Sequence, residues 1–473
     1  MKRVCAVLIL ALSGCAQLPT DLPARPALRE PATAATLASL TRGGGQAGAA
    51  LDQRWWESFG LTDLNRLVET ALKDAPDMES AQARLRGADQ AEHLARLESQ
   101  VRYETEASVV RERMSRNGLF PPPLGGSTFN QADITENLSY SLDWWGKNRA
   151  LIQAAGNERQ ATRDEAAAVR LTLTAAVTDA YFAAAGVTAR LAVAHTLQQS
   201  HRKEHDLLKA RLELGFDSAL PLIDARRKLD LDEDMIRALE YLQRSLRYRL
   251  SALIGSDPDH AAGLPTPMLA AHLPPLPDRL PLDWLAQRPD VAALRSRVEA
   301  AADLSDAARA DFYPNLDLRL MVGLESLDLG KLLQAGSLGA SVGPALYLPI
   351  FNTRTLRAKL GMREADYAST VAAYNQTILE AARQAADACA LIASLEQRSR
   401  AQRLALQETE QTHTLAEQRQ KLGLAGPLDA LVADSAVLDQ RMNDIETQAT
   451  RLRARVALYK ALGGNAPDKD LTP

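Results

Sequence analysis

The chain contains an internal tandem duplication. Two glycine-bounded stretches, Gly215–Gly255 and Gly423–Gly463, superimpose at a constant offset of 208 residues without a gap. Each is entered through an Arg-x-x-Leu-Gly sequence and closes on two apolar residues and a glycine. A second matched pair lies upstream, where Ala75–Met78 corresponds to Arg288–Val291. Self-similarity at a fixed spacing predicts that one structural unit of about 200 residues is built twice, over residues 51–262 and 263–473.

The N-terminus has the pattern of a bacterial lipoprotein signal. Lys2 and Arg3 precede an apolar run that ends in Leu12-Ser13-Gly14-Cys15, and this run is too short to span a bilayer. We therefore expect a signal peptide at 1–14 and a lipid on Cys15, the alternative being an ordinary secretory signal with an incidental cysteine. Ala16 after the cysteine resembles lipoproteins sorted to the outer membrane. Residues 15–50 are rich in Pro, Ala, Gly and Thr and predict a lipid-anchored flexible tether.

Composition excludes several classes of protein. The cysteines are Cys5, Cys15 and Cys389, which leaves no disulfide framework. A formal net charge of -4 makes nucleic acid an improbable partner. After the signal, no eighteen consecutive residues are apolar, so strands would have to make any membrane crossing.

Most of the chain is predicted to be helical. Between Asn148 and Glu213 there is no proline and there are two glycines, which favours one rod of roughly 100 Å at about 1.5 Å per residue. Apolar residues further on follow heptad spacing, the pattern of a coiled coil; they are Leu438, Met442, Ile445, Ala449, Leu452, Val456 and Tyr459. The simpler alternative is a compact helical bundle.

Each half is interrupted by one segment of period two, which predicts strands. In the second half the leucines between Leu316 and Leu324 alternate with polar or small residues, and the returning strand runs from Leu338 towards Ile350. In the first half the alternation runs from Leu138 to Trp144, after a weaker strand near Tyr103–Val110. We expect one hairpin in each half, at about 101–145 and 314–350.

Four strands cannot close a barrel and would leave two edges unpaired in lipid or water. One apolar and one polar or small face is typical of a barrel wall around a wet lumen, so closure must come from other copies of the chain. Tyr140, Trp144 and Trp145 lie near a strand end, as interfacial aromatic residues of such barrels do. The predicted fold class is mainly α with a small β part.

Six segments, in this order, resemble the TolC-like outer-membrane factors, and among them the lipoprotein branch typified by NodT. They are Leu12–Cys15, Trp55–Asn65, Ser141–Arg149, Gln287–Val291, Ala308–Pro314 and Gly343–Phe351. The resemblance implies a homotrimer with a twelve-stranded β-barrel that is continued into the periplasm by an α-helical barrel. It also implies an exit duct for small molecules, with a periplasmic adaptor protein and an inner-membrane pump of the RND, MFS or ABC type as partners, besides outer-membrane lipids.

The same resemblance implies roles for two turns. Family members reverse their long helices at the periplasmic tip through Gly-x-x-Ser turns, matched by Gly215 to Ser218 and by Gly423 to Gly426. These are candidate adaptor-docking turns. Asp224 and Asp429 lie just beyond them and would form carboxylate rings at a periplasmic gate. Because Pro221 and Val432 stand at the positions equivalent to Asp429 and Asp224, the two half-gates are unlike, and both aspartates remain open to a simpler interpretation as solvated helix residues.

Two other classes of protein compete. His201-Arg-Lys-Glu-His205 fits the H-x-x-E-H pattern of a zinc peptidase, but it lies within the predicted rod and has no evident third ligand. We therefore expect no catalytic residues, no metal and no cofactor beyond the lipid on Cys15. A structural coiled-coil lipoprotein that spans the periplasm would explain the heptads and the lipid, but not the matched hairpins.

Overall fold

The computed structural model describes residues 18–19, 24–29, 54–269, 273 and 287–464. The predicted signal peptide, Cys15 and most of the predicted tether lie outside the described residues. Within that tether residues 24–29 are described, and Arg25 is held by ion pairs to Asp306 and Glu364.

The element order repeats once along the chain. The first half contains α1 (Thr62–Asp74), α2 (Pro76–Glu98), β1 (Arg102–Arg113), β2 (Thr128–Leu142), α3 (Lys147–Glu213) and α4 (Ala219–Leu253). The second contains α5 (Pro289–Ala310), β3 (Asn315–Ser326), β4 (Leu338–Tyr347), α6 (Thr353–Lys421) and α7 (Pro427–Ala461). Helices α4 and α7 each have 35 residues and begin 208 positions apart, so the duplication predicted from the sequence is confirmed.

Glycine conformation explains why both halves turn at the same places. The φ angle is positive at all four turn glycines: 71° to 77° at Gly215, Gly255 and Gly423, and 86° at Gly463. Residues with a side chain adopt such angles only at a cost in energy. After Gly215 the chain closes a Schellman motif, since Phe216 N donates to Arg211 O over 2.9 Å. Leu424 N makes the same bond to Arg419 O over 2.8 Å after Gly423.

The predicted rod is present as α3, a continuous helix of 67 residues. Its start is capped by Asp143, whose carboxylate accepts from Asn148 N at 2.9 Å and Arg149 N at 3.1 Å. An 18-residue stretch of α3 is apolar and long enough to cross a membrane. However, 67% of that stretch is buried within the fold, which is typical of a core helix. The heptad seam of α7 is also confirmed, because its members are buried apart from the half-buried Ile445.

The four strands form one antiparallel sheet in the order β1-β2-β3-β4. Several strand bounds differ from the prediction: β2 begins at Thr128, ten residues before the predicted alternation, and β1 extends to Arg113. Strand β2 ends at Leu142, so Trp144 lies in the turn before α3. Strand β4 ends at Tyr347, so Leu348 and Ile350 are outside it; Pro349 has no N–H to donate and restricts the residue before it.

The chain divides into two compact units, and each takes segments from both repeats. One contains Leu85–Thr162 and Leu294–Tyr374, and therefore all four strands. The other contains Arg163–Ala293 and the chain from Asn375 onwards, and its largest apolar cluster is rich in aromatic rings. There Trp55 stacks on Tyr459 with ring centroids 5.3 Å apart, and Trp56 is only 2% exposed. Both tryptophans are therefore packing residues of the helical core.

Candidate functional site

The sheet has one apolar face. Cross-strand pairs such as Leu138 with Leu320 and Leu316 with Leu346 place apolar side chains in one row. Several members of this row are exposed on the isolated chain, among them Val342 at 74% and Tyr103 at 70%. Water does not favour a contiguous apolar surface of this kind, which is typical of a face that meets lipid or another protein.

The opposite face of the sheet is polar. Ser108 Oγ donates to Asp133 over 2.9 Å, and Gln131 Nε2 donates to Glu325 over 3.3 Å. Nearer the helices, the Ser141 hydroxyl lies 3.2 Å from Asn315 Oδ1. Hydroxyl, amide and carboxylate groups therefore line this face, as in the wall of a water-filled pore.

The sheet is open at both sides. Among the residues that the structure describes, β1 and β4 each pair with a single neighbouring strand, so each presents one unpaired edge. Unpaired backbone groups are strongly disfavoured in lipid. Pro344 lies within β4, and edge strands are where a sheet tolerates proline. The sheet therefore has the chemistry of a barrel segment that needs further strands.

The predicted interfacial aromatic residues lie at the helix-side end of the sheet. Tyr140 belongs to the apolar row opposite Leu318. Trp145 stacks on Tyr313 with centroids 4.5 Å apart, and its Nε1 donates to Pro314 O over 2.9 Å. Trp144 is 67% exposed. Their placement fits a membrane interface, where an aromatic ring has one apolar and one wet side, and the assignment stays a prediction.

The two predicted docking turns carry exposed apolar residues. Ser218 and Gly426 are the N-cap residues of α4 and α7. The Ser218 hydroxyl makes no cap hydrogen bond, and Gly426 has no side chain to make one. Around them the exposed large apolar side chains are Leu214, Phe216, Leu220, Ile223, Leu422 and Leu424. Apolar side chains that remain in water at a helical turn are available for a partner, so Gly215, Ser218, Gly423 and Gly426 remain candidate docking positions.

The two candidate gate carboxylates differ in their surroundings. Asp224 lies 2.7 Å from the Arg227 guanidinium and 4.0 Å from Lys228 Nζ. The hydrogen bond from Arg227 holds the pKa of Asp224 below its usual value. Asp429 is exposed, and no ion pair to it occurs in the described part of the chain. A carboxylate ring with uncompensated charge would therefore come mainly from Asp429.

The H-x-x-E-H residues have other partners. His201 Nδ1 lies 2.7 Å from Asp232 on α4, in a buried pair, and Glu204 accepts from Lys228 over 2.8 Å. His205 contacts the neighbouring Asp206 instead. Over the described ranges, no group of three metal-ligating side chains is assembled. The motif therefore contributes polar contacts between α3 and α4. Sequence reasoning missed these partners because Lys228 and Asp232 belong to no local motif.

The chain is similar to known outer-membrane proteins. A sequence model described as outer membrane efflux protein matches residues 67–256 and 280–464. The fusaric acid resistance protein FusA of Burkholderia cepacia is 32% identical over 77% of this chain and 70% of its own length. The multidrug resistance outer membrane protein MdtP of Escherichia coli is 28% identical over 87% of this chain and 86% of its own. The crystal structure of the outer membrane protein VceC of Vibrio cholerae superimposes with a TM-score of 0.78 at 30% identity, covering 88% of this chain and 99% of VceC.

Proposed function

Because the chain belongs to the outer membrane efflux protein family, we propose that three copies of it assemble into one exit channel in the outer membrane. The chain is an outer-membrane efflux protein, as its relatives are. The trimer would close a twelve-stranded barrel from the four strands of each copy. The helices would continue that barrel into the periplasm.

The open sheet carries this proposal. It has an exposed apolar face, a polar face and two unpaired edges, and a closed barrel of several copies satisfies all three at once. A coiled-coil spacer without channel activity would leave the apolar face in water and the edges unpaired, so the sheet disfavours that alternative.

We further propose that the channel works with a periplasmic adaptor and an inner-membrane pump. The exposed leucines and Phe216 around the two turns offer the adaptor an apolar docking surface. The relatives are named for resistance to fusaric acid and to multiple drugs, which supports small molecules as the cargo. A lipid on Cys15 would anchor each copy to the membrane.

The decisive experiment measures assembly and conductance together. We expect light scattering of the purified protein in detergent, corrected for bound detergent, to give three chains per particle. We expect the same preparation to form ion-conducting channels in planar bilayers. A stable monomer would overturn the proposal of a shared barrel. A trimer without conductance would favour the alternative of a coiled-coil spacer without channel activity. Intact mass spectrometry of the wild type and of Cys15→Ser tests the lipid separately.

A further inference from the structure

Two arginines interrupt the apolar row at the hairpin end of β1. On the apolar face this strand presents Tyr103, Thr105, Ala107, Val109, Arg111 and Arg113, because their cross-strand partners on β2 include Leu138 and Ile134. The helices are joined to the sheet at the opposite end, where β1 begins at Arg102 and β2 ends at Leu142. Arg111 and Arg113 therefore lie on the apolar face, at the end remote from the helices.

No carboxylate in the described part of the chain neutralises either guanidinium group. Arg111 is paired across the sheet with Asn130, and Arg113 with Thr128. Both arginines are exposed, and neither takes part in an ion pair within the described ranges. Arg319 on the polar face differs, since its guanidinium lies 3.9 Å from Asp317. Two unpaired cations thus stand directly beyond the apolar residues Ala107 and Val109.

The spacing along β1 matches the thickness of a membrane. At about 3.4 Å per residue and a tilt of about 40°, ten residues rise roughly 26 Å, which separates Tyr103 from Arg113. The apolar band of an outer-membrane barrel is about 25 Å tall, and arginine on the lipid face is strongly unfavourable at its middle but tolerated near the interfaces. Tyr103 would then lie at the periplasmic interface, and the arginines at the external one.

We propose that Arg111 and Arg113 bind phosphate groups of the phosphorylated glycolipid, lipid A, in the outer leaflet. The proposal rests on the proposed function, because it requires the sheet to be part of a barrel that spans the outer membrane. Guanidinium groups match phosphate oxygens in geometry and charge, and clustered basic residues at a membrane surface recognise anionic headgroups. The acyl chains of the same lipid would cover Val109, Ala107 and the neighbouring Ile134.

The experiment uses the purified full-length protein in detergent, delipidated and then incubated with bisphosphorylated lipid A. Native mass spectrometry counts the lipids retained per trimer. We expect the wild type to retain lipid A, and the double variant Arg111→Gln/Arg113→Gln to retain at least several-fold less. The matched control is Arg102→Gln, because Arg102 lies on the same strand but on the polar face, opposite Ser139.

Two further probes identify the ligand chemistry. The wild type should retain dephosphorylated lipid A no better than the double variant does, because this lipid has no phosphate groups for the arginines to bind. Phosphatidylglycerol should be retained less than lipid A, because it carries one phosphate for the two guanidinium groups and bisphosphorylated lipid A carries two. Equal retention of lipid A by the wild type and the double variant, or a preference for phosphatidylglycerol, would overturn the inference. Failure to form trimers at all would instead count against the proposed function.

Discussion

Arg25 forms an ion pair with Glu364, a residue 339 positions further along the chain, with Nε and Oε2 3.2 Å apart. The Glu364 side chain is only 4% exposed. Its carboxylate also accepts from Ser305 Oγ and from an Arg309 guanidinium nitrogen, both at 2.6 Å. The Arg25 guanidinium lies 4.9 Å from the ring centre of Tyr367 as well. One buried carboxylate thus joins the N-terminal segment to α5 and α6.

Loss of Arg25 should therefore destabilise the fold. In Arg25→Gln the Glu364 carboxylate keeps Ser305 and Arg309 but loses two charge-assisted hydrogen bonds. We expect the free energy of unfolding to fall by about 1–3 kcal/mol, measured as a lower melting temperature by circular dichroism at 222 nm. Arg29→Gln is the control, because the backbone N of Arg29, and not its side chain, donates to Asn375. Equal melting of both variants would contradict the role of the ion pair.

The same carboxylate predicts a pH dependence. Burial raises the pKa of Glu364, but hydrogen bonds from Arg25 and Ser305 and the charges of Arg25 and Arg309 outweigh it and hold the pKa below its usual value. A carboxyl of this kind binds fewer protons folded than unfolded. Its contribution is therefore complete at neutral pH and is lost as the pH falls through its folded pKa. We expect the melting temperature of Glu364→Gln to fall less than that of the wild type when the pH is lowered from about 6 to about 3. Parallel losses would show that other carboxylates govern acid unfolding.

Gly186 lies where α3 packs closely against Ala449 of α7. A Cβ atom at this position would lie 2.6 Å from Ala449 Cβ, closer than packed side chains allow. We expect Gly186→Ala to destabilise the protein by about 1–3 kcal/mol through overpacking, despite the better helix propensity of alanine. Ala449→Gly in the same chain should restore part of the loss. Gly87→Ala is the control, because nothing lies within 4 Å of the added atom; it should melt at the wild-type temperature or above.

Local patterns in the sequence predict the elements of this fold well. The proline-free stretch after Asn148 predicts α3 to within one residue of its observed start at Lys147. Glycines at equivalent positions predict both helix reversals, because a Schellman motif needs a positive φ at one defined residue. The alternating leucines after Asn315 predict β3 and its apolar face.

The sequence does not predict long-range side-chain pairs or local exceptions to the structure that composition suggests. No periodicity joins Arg25 to Glu364, and the composition of residues 15–50 predicts a flexible tether although Arg25 is held in place. Each of the two compact units takes segments from both repeats, and the boundary between the units falls within α3, between Thr162 and Arg163. At the candidate site, the sequence places Asp224 and Asp429 just beyond the two turns, at positions that are not equivalent, and gives no sign of their partners. Their difference depends on Arg227, one turn further along α4.

Glu136 is the carboxylate on the apolar face of the sheet. It lies between Thr105 and Val322 in the cross-strand register, and the Thr105 hydroxyl donates to it over 2.9 Å. A charged side chain on a lipid face is destabilising. We therefore expect Glu136→Gln, which can still accept from Thr105, to raise the temperature at which the trimer dissociates in detergent gels. Glu104→Gln on the polar face of β1 should leave it unchanged. A lower temperature for Glu136→Gln would mean that this face does not meet lipid.

The unequal surroundings of Asp224 and Asp429 lead to a prediction about the gate. If three copies of Asp429 form a ring at the periplasmic constriction, their carboxylates bind cations there and slow ion passage. The double variant Asp224→Ala/Asp429→Ala should then raise single-channel conductance in planar bilayers. Asp429→Ala alone should supply most of the increase, because the Asp224 carboxylate is already paired with Arg227. Asp230→Ala is the control, because this aspartate lies six residues beyond Asp224 on α4 and thus further from the turn. Unchanged conductance in the double variant would remove both aspartates from the gate, and an increase from Asp224→Ala alone would reverse their assignment.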